Sequence, residues 1–205
     1  KAIDPEKFEK ALSDNPDAKI AAFVHAETST GVLSDIKKLS AIAKKHDCLT
    51  IADTVTSLGG SKLKVDDWEL DAVYSGTQKC LSCPPGLSPV TFSEKAIHKI
   101  KNRKTKVQSW FMDINLVLGY WGEGSKRSYH HTAPINSLYG LHEALLLLHE
   151  EGVENAWARH TKNGEIFCNE LRKIGLEPFV DENIRLPQLI SVKVPQHADE
   201  AKVRK

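Results

Sequence analysis

Apolar positions along this chain recur in two ways, as short unbroken runs and as longer stretches spaced by three or four residues. Residues 20–24 form an unbroken apolar run, which suits a strand buried on both faces. After a polar loop from His25 to Gly31, Ile36, Leu39, Ile42 and Ala43 share one helical face, and Ser34 stands where an N-cap belongs. A second strand is predicted at 48–52, a third at 72–74, and a fourth at 87–92. Strand, helix, strand at this spacing is a βαβ unit. The first two strands are therefore expected to be parallel and the fold class to be α/β.

Asp4 and Pro5 read as a helix start, with the carboxylate as N-cap and proline in the first turn. Residues 93–103 and 113–121 read as two further helices, the second stopped by Gly122, Glu123 and Gly124. Pro134 leads into a strongly apolar helix at 138–150, which its run of leucines places in the core. Gly152 breaks the pattern. Val153, Trp157, His160, Gly164, Phe167, Leu171 and Ile174 then mark a long amphipathic helix, ended by Gly175 as a C-terminal cap. Residues 186–194 read as a last strand. A long helix running into a new strand predicts entry into a second domain, dividing the chain at 1–152 and 153–205.

Composition narrows the class without naming a function. The 205 residues are 40% hydrophobic and 27% charged with a net charge of +1, which describes a globular chain able to bury a core. Near-neutral charge gives no prior for nucleic acid, although the basic stretch 99–106 followed by Trp110 and Phe111 offers the alternative of a nucleic-acid platform to a solvated helix face. No apolar run approaches the ~20 residues that cross a bilayer, so no membrane span is expected. No signal peptide is visible from Lys1. Cys80 and Cys83 form a CxxC pair, but no second pair at zinc-ligand spacing accompanies it, and neighbouring His130 and His131 are expected to point apart. All four cysteines are expected as reduced, mostly packed thiols, as in a reducing compartment, with no metal site.

The candidate chemistry sits where strands end. Thr28, Asp53 and Lys79 each follow the carboxyl end of a different predicted strand, the edge at which open α/β sheets bind ligands. Lys79 lies between the Ser75-Gly76 turn and the Pro84-Pro85-Gly86 corner, so its backbone is held on both sides. Such an amine suits covalent nucleophilic chemistry. The alternative is three polar loop residues with no shared role.

Longer blocks of sequence resemble a known family. His25-Ala26-Glu27-Thr28-Ser29-Thr30-Gly31, Asp53-Thr54-Val55-Thr56-Ser57, Tyr74-Ser75-Gly76-Thr77-Gln78-Lys79 and Tyr129-His130-His131-Thr132 occur in the order seen in the alanine–glyoxylate and serine–pyruvate aminotransferase group. These are class V, fold-type I pyridoxal-phosphate enzymes, and they include 3-hydroxykynurenine transaminases. The resemblance implies a mixed, mostly parallel sheet flanked by helices, plus the start of a small C-terminal domain. It implies that Lys79 is the lysine joined to pyridoxal phosphate through a Schiff base and that Asp53 faces the ring nitrogen. By the same match, Gln78 and Thr28 are polar cofactor contacts and Val55 packs under the ring. Tyr129 and Thr132 match residues that reach the cofactor phosphate of the neighbouring subunit, so a homodimer acting on small amino and oxo acids is implied. Family members extend beyond both ends of this chain, which is expected to correspond to their middle.

The resulting expectation is transfer of an amino group from alanine or serine to glyoxylate or pyruvate. A 3-hydroxykynurenine transaminase or a lyase of the same fold is the enzymatic alternative, and a fold-retaining binding domain the non-enzymatic one.

Overall fold

A computed structural model describes residues 1–121 and 128–204. The first helix, α1 (Pro5–Asp14), starts as its sequence dictates: the Asp4 carboxylate accepts from the backbone N–H groups of Glu6 and Lys7, and Pro5 follows at the first position. Strand β1 (Ile20–Val24) then enters the sheet. The stretch read as a loop after it contains a short hairpin, β2 (Ala26–Glu27) against β3 (Val32–Leu33). Helix α2 (Ile36–Lys45) is capped by Asp35, whose carboxylate accepts from Lys38 N–H, and not by Ser34. The reason is that Ser34 lies one step outside the helix, its own N–H committed to the His25 carbonyl at 2.8 Å.

Strand β4 spans Leu49–Asp53, one residue later than its pattern suggested, because the Asp53 carbonyl is drawn into the ladder by the His25 N–H at 2.9 Å. Strands β5 (Ala72–Tyr74) and β6 (Val90–Phe92) complete a four-stranded sheet in the order β1-β4-β5-β6. The first three strands are parallel and β6 runs antiparallel, so the sheet is mixed and mostly parallel. The fourth strand is half its expected length. Pro89 has no N–H for a ladder, and the Leu87 and Pro89 carbonyls turn instead to Thr77 and Ser75 N–H.

Residues pointing to one face of the sheet make the core. Phe23, Ala52 and Val73 are register neighbours there and pack with Ile36, Leu39 and Leu70 under α2. Parallel pairing puts Val24, Asp53 and Tyr74 side by side on the opposite face, at the carboxyl edge.

Helix α3 (Glu94–Lys101) is capped by Ser93, and the lysines of 99–106 are exposed along it and beyond it. Helix α4 (Ile114–Trp121) follows, and the glycine stop expected at Gly122–Gly124 lies outside the described residues. Helix α5 (Ile135–Glu151) departs from expectation, for none of its residues is buried among the described chain. Its leucines run around the helix rather than along one stripe, and its packing partner, α6, covers only part of that circumference. Helix α6 (Val153–Lys173) buries Ala156, Gly164, Cys168 and Leu171, while Phe167 of the predicted apolar face is exposed. Gly175, at φ 80°, ends it as its sequence position requires.

The strand expected at 186–194 is absent among the described residues. Only two isolated bridges form, Val32 with Arg185 and Pro178 with Val192. Pro187 interrupts any ladder, and the polar groups of this segment bond to loops instead. A 3-10 turn (Glu182–Ile184) and a terminal helix α7 (Glu200–Val203) complete the described elements. No helix among them is long and apolar enough to cross a membrane.

Candidate active site

Asp53 closes β4, and two neighbours orient its carboxylate. The Val55 N–H donates to Oδ1 at 2.9 Å, and the Tyr74 hydroxyl, from the register partner one strand over, donates to Oδ2 at 2.7 Å. The hydrogen bond to Asp53, then partial burial and the carboxylate charge, push the Tyr74 phenol up to about 12. Tyr74 therefore stays a donor across the physiological range. A carboxylate offers about four lone-pair directions, and these two bonds leave acceptor capacity on Asp53.

The strand ends are cross-tied around it. Thr54 sends both its N–H and its hydroxyl to the Tyr74 carbonyl, each at 2.9 Å, and the Ser75 hydroxyl donates back to the Thr54 carbonyl at 3.0 Å. Lys79 follows in a closed loop. The Thr77 hydroxyl donates to the Pro84 carbonyl at 2.8 Å, the Cys83 N–H to the Thr77 carbonyl at 3.1 Å, and the Ser82 N–H to the Lys79 carbonyl at 3.0 Å. The anchored lysine backbone inferred from the turn residues is thus present, and both Gln78 and Lys79 are exposed. Burial pushes the adjacent Cys80 thiol up, against the opposing pull of Arg159 and Lys79.

Thr28 is exposed at the tip of the β2–β3 hairpin. That tip is shaped by Glu27, whose carboxylate accepts from the Ser29 N–H at 2.9 Å and the Ser29 hydroxyl at 2.7 Å, which holds it below the usual carboxylate range. His25 lies buried between this hairpin and β4, edge-on to Trp68 at 5.8 Å, with Nδ1 unpartnered among the described residues. Burial brings its imidazole down to about 4, with Asp35 pulling weakly the other way.

Tyr129 and Thr132 form a second pair, hydroxyl to hydroxyl at 2.6 Å. Among the described residues, no hydrogen bond joins this pair to Asp53 or Lys79. Between them, the two histidines do not point apart as their adjacency suggested. Their Nδ1 atoms meet at 2.8 Å with the rings nearly perpendicular, and His130 Nε2 lies 3.0 Å from the Trp110 carbonyl. A carbonyl only accepts, so Nε2 carries the proton of neutral His130 and Nδ1 accepts from His131. Trp110 and Phe111 pack on these rings. The four cysteines are unpaired, and no cluster of three or more His, Cys, Asp or Glu forms among the described residues.

Asp53 and Val55 thus lie together in the turn after β4 and Lys79 in the loop after β5, while Tyr74 as a partner of Asp53 was missed from sequence. The signal was present in the strand alignment, since a parallel register that places residue 53 against residue 74 puts both on one face. Also missed was the polar link from residue 188 to the turn after Asp53.

Comparison with known proteins places the chain by sequence and fold. The sequence model of the family described as "Aminotransferase class-V" matches residues 1–204. Alanine–glyoxylate aminotransferase of Oryctolagus cuniculus is 42% identical over 173 residues, covering 83% of this chain and 44% of that protein. The crystal structure of alanine–glyoxylate aminotransferase from Nostoc sp. superposes with a TM-score of 0.94 at 44% identity, over 99% of this chain and 53% of that one. The ureidoglycine–glyoxylate aminotransferase structure from Bacillus subtilis gives 0.93 at 35% identity, over 98% and 51%. The chain spans about half the length of the relatives it matches. On this fold, sequence match and strand-edge geometry, the chain belongs to the class-V aminotransferase family.

Proposed function

We propose that this chain supplies the central part of a pyridoxal-phosphate-dependent aminotransferase that moves an amino group from alanine or serine to glyoxylate or pyruvate. The observation that carries the reading is the oriented Asp53 carboxylate at the sheet's carboxyl edge, with the anchored Lys79 loop following the adjacent strand. The donor set fits the cofactor: a carboxylate with spare acceptor capacity, an exposed amine, and the polar side chains of Gln78 and Thr28. When bound, pyridoxal phosphate supplies an electron sink for the carbanion formed at the substrate Cα.

The residues of this chain have the following roles in that reading. Asp53 would hold a proton at the ring nitrogen, and the Val55 N–H and Tyr74 hydroxyl keep its carboxylate aimed. Lys79 would hold the cofactor through Nζ and would carry the proton at the substrate Cα. Val55 would pack beneath the ring, and Gln78 and Thr28 would be polar contacts to the cofactor. Tyr129 and Thr132 reach the phosphate group bound by a second copy, so the enzyme is a homodimer. Support for that second copy comes from the exposed apolar surface along α4 and α5 beside this pair. Residues 153–205 are the connecting helix and the beginning of the small domain.

The test is made on the full-length protein. It is expected to bind pyridoxal phosphate with a visible absorption band that borohydride quenches and Lys79→Ala abolishes, and to sediment as a dimer. Transfer to glyoxylate or pyruvate in an acceptor screen then identifies a transaminase, whereas elimination products without transfer identify a lyase. A band that survives Lys79→Ala overturns the assignment.

A further inference from the structure

A carbonyl three residues beyond Asp53 ties together parts of the chain that lie far apart in sequence. In the turn after β4, Ser57 and Leu58 N–H bond to the Thr54 carbonyl, while Gly60 and Ser61 N–H both bond to the Ser57 carbonyl. The Thr56 carbonyl, on a buried residue, is left for side chains. It accepts from Gln188 Nε2 at 2.8 Å and from the Cys80 thiol at 3.4 Å. The other end of the Gln188 amide accepts from the buried Ser61 hydroxyl at 2.9 Å. A carbonyl can only accept, so only one orientation of the amide satisfies both contacts.

Each partner of this carbonyl is attached to a different piece of the site. Thr56 belongs to the turn that carries Asp53 and Val55. Cys80 is the residue after Lys79. Gln188 belongs to the segment 185–191, which also holds the Thr28 hairpin: Leu186 N–H donates to the Gly31 carbonyl at 2.8 Å, and the Ser191 hydroxyl to the Thr30 carbonyl at 2.5 Å. Leu186 is fully buried, so the strap is anchored independently of Gln188. The local packing is close. A Cβ added at Gly60 would meet the Cys80 sulfur and come within 3.2 Å of Gln188 Nε2.

We propose that Gln188 is a positioning residue: by holding the Thr56 carbonyl and the Ser61 hydroxyl it keeps the Asp53 turn in register with Lys79, so the strap 185–191 sets the geometry of the cofactor bed. This rests on the cofactor reading above. It follows from the connectivity, because a carbonyl on a buried residue that loses its stronger donor is left with only a weak thiol partner. The thiol is a weak donor and at 3.4 Å cannot replace the amide.

The test compares wild type, Gln188→Met, which keeps length and volume but loses both bonds, and Ser61→Ala, which removes one, in the full-length protein. In the cofactor-free state, amide exchange over 54–62 is expected to rise about tenfold in Gln188→Met and less in Ser61→Ala, with 49–53 unchanged. With cofactor bound, the visible circular dichroism of the chromophore, which reports ring orientation, is expected to lose amplitude in the same order. Cofactor affinity is expected to fall about tenfold in Gln188→Met. Unchanged exchange overturns the inference. So does faster exchange with an unaltered chromophore signal, which marks a purely structural tie. If Gln188→Met does not fold, Ser61→Ala alone decides by the same two readouts. A wild type that takes up no cofactor removes the cofactor reading and this inference together, whereas a wild type that binds while the variants match it removes only this one.

Discussion

His25 shows how a single buried side chain can carry a pH dependence. Its imidazole is buried at the end of β1 and brought from 6.5 to about 4 by loss of solvent. Between those values the unfolded chain binds a proton that the folded chain refuses, so stability falls as the pH drops through that window. The loss reaches about 3 kcal/mol by pH 4. Urea unfolding at pH 7 and pH 4.5 is expected to show this decline in wild type and a flatter one in His25→Gln. Equal slopes would place the acid sensitivity elsewhere. The same scale explains why Asp53 could be found from sequence and Tyr74 could not. A carboxylate at a strand end stands out against its neighbours, whereas a tyrosine inside an apolar strand acquires its role only when register brings its hydroxyl to 2.7 Å from Asp53.

Among the elements, α6 and the 185–191 strap depend on a missing side chain. A Cβ at Gly164 would collide with the Pro187 carbonyl oxygen and lie 3.2 Å from the Pro187 Cα. Alanine favours a helix over glycine by about 1 kcal/mol. Overpacking against backbone costs about 1–3 kcal/mol, so the clash prevails. Gly164→Ala is expected to lower the melting temperature and loosen 185–191, while alanine at the exposed neighbour Asn163 does neither. A stabilised Gly164→Ala protein would show that the strap gives way freely. The helices themselves were legible because capping and periodicity are local: Asp4 with Pro5, and Gly175 after α6, behave as their chemistry requires. The strand expected at 186–194 was not, since an apolar run says nothing about whether a neighbouring strand is free to pair with it.

At the scale of the whole molecule, apolar surface is left open. Leu145, Leu146 and Leu147 of α5 are 46%, 42% and 58% exposed, and Trp110, Phe111, Met112 and Trp121 are exposed as well. On the sheet's other side, a cleft of about 770 Å³ is lined by Ile20, Leu49, Ile51, Phe92 and Met112. Exposed apolar side chains in such number favour association. The 205-residue chain alone is expected to bind a hydrophobic dye and to sediment faster as its concentration rises, and Leu147→Lys to reduce both effects. A dye-silent monomer would mean that these side chains repack. The leucine run was read as core because a helix apolar on most sides is normally buried; whether anything lies against it is a property of the assembled chain, not of the helix.

By itself the sequence determined the α/β class, the parallel pairing of the first two strands, the start of α1 and the end of α6, and it set Asp53 and Lys79 after neighbouring strands. These follow from interactions within a few residues, in which backbone preference and side-chain spacing act directly. Tertiary structure alone decided that Tyr74 serves Asp53, that His130 Nδ1 meets His131 Nδ1, that α5 lies open, and that Gln188 reaches back 132 positions to the Thr56 carbonyl. The Tyr74 and Gln188 contacts depend on groups brought together by the sheet register and by a returning segment, and no local pattern encodes partners that distant.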